Sequence, residues 1–157
     1  MENKKLREHL IAMLAKPNAH SIFDDIISGF PKQHYGTSVN GQTHSAWQLL
    51  EHLRLCQWDI LEFSRDPDHV SPSFPEGYWP ETTSPATDDA WDNSVAQFNN
   101  DLRQMNDLIA DESNDLSARI RHGDGQTLLR EALLLAKHNS YHIGQLAILK
   151  NALNKLE

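Results

Sequence analysis

The sequence is poor in the residues that build cross-linked, nucleic-acid-binding or membrane-spanning proteins. It holds one cysteine, Cys56, in 157 residues. A lone thiol makes no intrachain disulfide and no zinc-finger pair. Basic residues are outnumbered 14 to 22, for a net charge of −8. Phosphate backbones repel such a chain unless a local basic patch exists. The basic residues Lys4, Lys5 and Arg7 are interleaved with Glu2 and Glu8, so no nucleic-acid partner is expected. Long apolar runs are also missing. The longest clean run, Leu10 to Ala15, is far short of a membrane span, so no membrane partner is expected either. The opening segment has no small-residue cleavage site after its apolar stretch. The expected location is therefore the cytoplasm. Strand-like alternation, repeats and low-complexity tracts are absent as well.

What remains is helical spacing. One domain over residues 1–157 is expected at this length. Leu6, Leu10, Met13 and Leu14 fall on one helix face, as do Ile22, Phe23, Ile26 and Ile27. Pro17 interrupts and Gly29 with Pro31 terminates, so residues 2–29 read as one interrupted first helix. Ser45 and Gln48 have the form of a capping box and open a second helix running to about Phe63. Its inward stripe is Leu49, His52 with Leu53, Cys56, Ile60 and Phe63. A third helix from near Thr87 to near Asp111 carries Trp91, Val95, Phe98, Leu102, Met105 and Ile109, at alternating gaps of four and three. The fourth, from near Thr127 to about Leu153, carries Leu128, Glu131 with Ala132, Leu135, His138, His142, Leu146 and Leu149.

Residues 64–86 hold five of the seven prolines, which disfavours helix and central strand. A connection this long can run the length of a bundle and make the second and third helices parallel. Its Phe74, Tyr78 and Trp79 are expected to anchor it on the body; a substrate lid is the alternative. The fold class expected is all-α, a four-helix bundle with a long Pro-rich crossover between helices two and three.

Nine histidines are many for this length. His138 and His142, four apart, share a helix face. Nine histidines placed at random give about half a pair at that spacing, so phase carries the argument. Both interrupt a stripe that otherwise reads leucine, as His52 does on helix two. Three neutral imidazoles with an open position match a catalytic zinc site; nickel or iron also accept imidazole. The competing reading is a set of satisfied core or pocket histidines. Glu-x-x-His, required twice by carboxylate di-iron bundles, does not occur. Cys56, one turn after His52, reads first as a small buried thiol. Gln145 could orient a ligand and Glu131 could serve as a general base, though both also fit helix-surface polar positions. His44 reads as a cap residue near the mouth of the site. His9, His20, His34, His69 and His122 read as surface residues, and His122 to Gly125 as a plain turn.

Together the segments HSAWQLLEHLRLCQWDILEF and KHNSYHIGQLAILK resemble the DinB/YfiT-like superfamily, from about residue 4 to 153. The resemblance implies a four-helix bundle with a long connection between helices two and three. It also implies metal ligands at His52, His138 and His142, with the glutamine of the family's His-x-Gly-Gln run at Gln145. It further implies a divalent ion (zinc, nickel or iron), a homodimer, and a small-molecule substrate. Several members transfer or isomerise with a low-molecular-weight thiol, so a thiol-activating transferase is expected, with metal-dependent hydrolysis as another use of the site. The alternative is a non-catalytic, dimeric metal-binding or stress-response protein. No residue set here matches a thiol-cofactor pocket.

Overall fold

A computed structural model of the chain describes residues 2–17, 21–39, 41 and 43–155. Helix α1 spans Glu2–Ala15, a short α2 Phe23–Ile27, α3 Ala46–Arg65, α4 Ala90–Ala110 and α5 Leu128–Leu153. Single 3₁₀ turns lie at Lys32–His34 and Glu76–Tyr78. The described residues form no strand, only an isolated bridge between Arg119 and Thr127. The four long helices make the expected bundle. The interruption expected in the first helix is a full break: α1 stops at Ala15, two residues before Pro17, and α2 starts at Phe23. Proline lacks the amide hydrogen a helix interior needs and disfavours helical geometry in the residue before it. Residues 18–20, with His20, lie outside the described residues.

The starts of α3 and α5 follow from their caps. Ser45 Oγ accepts the Gln48 amide, and Gln48 Oε1 accepts the Ser45 amide at 3.1 Å, closing the capping box. Thr127 Oγ1 accepts the Arg130 amide. Residue pairs fix the helix directions. Ser94 donates to Glu51, Gln57 to the Phe98 carbonyl, and Arg65 to Gln104. Both numbers rise together, so α3 and α4 are parallel. His52 meets His142, whereas Gln57 meets Asn139, so α3 and α5 are antiparallel.

Parallel neighbours need the long crossover of residues 66–89. It is tied down by Tyr78 Oη donating to Asp59 Oδ2 (2.7 Å), by Trp47 Nε1 donating to Thr82, and by Ser45 Oγ donating to the Thr83 carbonyl. Gly36 passes so close to Ser84 that any side chain there would collide with it. Tyr78 and Trp79 pack on the body as expected. Phe74 does not: it is 86% exposed.

Among the described residues the core has two apolar clusters. One gathers Phe23, Phe30, Trp47, Leu50, Phe98, Leu146 and Leu149; the other Leu10, Leu61, Met105, Ile109, Leu116 and Leu135. Between them lies a buried polar layer. Gln57, fully buried, donates to the Phe98 carbonyl at 2.6 Å and accepts Asn139 Nδ2 at 3.0 Å. Arg7, also buried, reaches from α1 to the end of α4 and donates to the carbonyls of Ile109 (2.6 Å), Asp111 (3.0 Å) and Asn114. Those oxygens lie at and beyond the terminus of α4, where the helix leaves its last carbonyls without internal partners.

Candidate metal centre

The bundle brings His52 on α3 to His138 and His142 on α5, within the polar layer. His52 Nε2 lies 3.1 Å from His142 Nε2 and 3.1 Å from His138 Nε2. Among the described residues these are the one group whose donor atoms converge as metal ligands would, all within 4.8 Å of one another. Nitrogens bound to one ion at 2.0–2.1 Å in tetrahedral geometry sit about 3.3 Å apart, close to what is seen.

Hydrogen bonding fixes which nitrogens are bare. His52 Nδ1 lies 2.8 Å from the Tyr78 carbonyl oxygen, which can only accept. Nδ1 therefore carries the hydrogen and Nε2 presents a lone pair. His142 Nδ1 is held in the same way by Gln145 Oε1 at 2.7 Å. Two lone pairs thus face each other across 3.1 Å, an arrangement that a cation between them relieves. A single N–H on His138 could serve His52 but not His142 as well. His138 Nδ1 is itself buried without a hydrogen-bond partner among the described residues. Protonation is a poor remedy. Burial pushes His52 down to about 4, reinforced by His142 and His44 and opposed by the Tyr78 carbonyl. Burial pushes His138 down to about 4 too, helped by His142 and His52, and lowers His142. The donor set fits a divalent ion.

Trp79 covers the cluster. Its indole stacks on His52 at 3.8 Å and 3°, and on His44 at 3.9 Å and 15°. His44 thus borders the site, as expected from its place before the Ser45 cap. Cys56 Sγ lies 3.6 Å from His52 Nδ1. Burial, with the Asp59 charge second, pushes its thiol up to about 12, so it stays protonated at neutral pH. The cluster opens on a cavity of about 430 Å³, within the range of small-molecule pockets.

Glu131 is not brought to the cluster. It is buried near the start of α5, two turns before His138, and takes Arg130 Nη1 at 2.6 Å. It does not line the cavity. Gln145 does reach the site, through His142. Of the histidines expected at the surface, His9 and His122 are exposed and His34 is half-buried. His69 departs most: its side chain is 7% exposed and its Nε2 lies 2.7 Å from Asp59 Oδ1. Asp59, a cavity residue, was not singled out by spacing. Its position seven after His52 was the available signal.

A family model described as the DinB superfamily matches residues 18–146. That span contains His52, His138, His142 and Gln145. Neither the curated proteins nor the solved structures give a match.

Proposed function

The chain belongs to the DinB superfamily, and from that premise we propose that it is a divalent-metal-dependent transferase that activates a small thiol at His52, His138 and His142. The observation that carries the reading is the pair of lone-pair nitrogens on His52 and His142, turned on one point by Tyr78 and Gln145. A divalent ion bound there supplies Lewis acidity, favouring the thiolate over the thiol.

The chain's own residues do the rest. The Tyr78 carbonyl and Gln145 Oε1 hold the two imidazoles in the ligating tautomer, so no rearrangement is needed on binding. Trp79 covers one face of His52 and keeps water from it. Cys56, held as a neutral thiol, does not compete as a nucleophile. The cavity gives an incoming thiol and its electrophile a common space beside the histidines. A structural metal site is normally closed by four protein ligands. Three converging donors beside a cavity favour the catalytic reading over the purely structural one.

Elemental analysis of protein purified without a His tag tests this, beside His52→Ala and His138→Ala. Near-stoichiometric zinc, nickel or iron is expected in the first, and loss of both metal and thiol-conjugating activity in the variants. Wild-type protein that stays metal-free after incubation with divalent ions would overturn the metal reading. Conjugating activity retained by metal-free His138→Ala would overturn the mechanism.

A further inference from the structure

The cavity is a trough with two chemically different ends. His52, Cys56 and Asp59 line it from α3. Spacings of four and seven put them on one helix face, over about 10 Å of axial rise. The histidine cluster marks one end and a carboxylate the other. Tyr78 and Trp79 from the crossover and Leu134 from α5 form apolar walls between them.

Asp59 has an unusual position. Its side chain is only 13% exposed. It accepts Tyr78 Oη on Oδ2 and meets His69 Nε2 on Oδ1, each at 2.7 Å. A phenol and an imidazole are its partners; neither brings the fixed charge of lysine or arginine. Among the described residues lining the trough there is no lysine or arginine at all. A carboxylate offers about four lone-pair positions, and the described residues use two of them. Its charge registers on the neighbouring walls. After burial, Asp59 is what holds the Tyr78 hydroxyl up at about 12, and it adds to the rise at Cys56.

We propose that the trough takes a small molecule with an ammonium head seated at Asp59, an apolar body against Tyr78, Trp79 and Leu134, and its reacting group at the histidine cluster. The placement of the reacting group rests on the function proposed above; the head-group selectivity does not. An ammonium fills the open acceptor positions and lies beside aromatic rings that favour cations. A carboxylate or phosphate head would be desolvated against a like charge with no lysine or arginine in the lining to meet it. Thiols with acidic tails are excluded at that end, and aminothiols fit.

The test uses three probes that lack a thiol and differ only in the head: 3-phenylpropylamine, 3-phenylpropanol and 3-phenylpropanoate. Calorimetry on zinc-loaded and on metal-stripped protein gives their affinities. In the stripped protein the ammonium is expected to bind at least about tenfold tighter than the carboxylate, with the alcohol between. Asp59→Asn should bring the three within about twofold, and Asp59→Glu should restore the order. Equal affinities, a carboxylate preference, no binding of any probe to either form, or a preference that survives Asp59→Asn would overturn the proposal. The probe series on unaltered protein decides the matter even where a variant fails to fold. Ammonium preference in a protein that takes up no metal would leave this inference standing and remove the metal reading. Metal uptake without head-group preference would do the reverse.

Discussion

At the scale of single residues, the site depends on groups that touch no substrate. Gln145 holds His142 by one hydrogen bond of 2.7 Å. Replacing it with leucine frees Nδ1 and lets the ring turn or change tautomer. Outer-shell losses of this kind typically cost 10–100-fold in metal affinity. Gln145→Leu should therefore bind zinc about tenfold or more weakly in chelator competition, with its helical circular dichroism unchanged. An affinity equal to that of the unaltered protein would show the bond to be idle. The histidines themselves were legible in the sequence because they broke a leucine stripe in phase. Asp59 was not, because its meaning comes from His69 and Tyr78, ten and nineteen positions along the chain. Glu131 shows the limit of phase: it shares the inward face with His138, yet two turns of helix separate them and Arg130 claims it.

At the scale of elements, helix ends were easier to read than helix continuity. The capping box at Ser45 and the Thr127 cap are local chemistry, written in four consecutive residues. That the helical pattern resumes at Phe23–Ile27 was legible in the spacing; whether Pro17 kinks one helix or separates two depends on what those residues pack against, which no local pattern encodes. The buried layer of Gln57 and Asn139 was also hidden, since a polar residue at a core position reads as a break in the stripe until its partner is known. Helix α1 lies outside the span matched by the family, yet Arg7 ties it to three carbonyls at the end of α4. Arg7→Met keeps most of the stem and removes all of those donors. It should destabilise the protein by about 2–4 kcal/mol, lowering Tm by about 5–10 °C for a chain of this size. Calorimetric melting checks this; a change below about 1 kcal/mol would mean the α4 carbonyls find other donors.

At the scale of the whole molecule, the histidine layer couples stability to acidity. In the unfolded chain a histidine takes up its proton near 6.5. In the folded, metal-free protein His52 and His138 do so at about 4. Between those values the unfolded state binds more protons, so acid favours unfolding. The stability contributed by these neutral imidazoles is complete above about pH 7 and is lost as the pH falls towards 4. The slope is bounded by about 1.4 kcal/mol per pH unit for each histidine. Urea midpoints of metal-stripped protein at pH 7.5, 6.0 and 5.0 should fall in that order. A flat series would mean that the imidazoles are not held neutral by the fold.

Trp79, flat against His52 at 3.8 Å, gives the centre an optical reporter of its own. Any charge arriving on that imidazole, whether a proton or an ion at Nε2, polarises the ring lying against the indole and so alters its emission. The three other tryptophans, Trp47, Trp58 and Trp91, stack on none of the three clustered histidines. Occupancy of the centre is therefore written into the fluorescence of the unlabelled protein, at a single chromophore that the crossover delivers to the histidines.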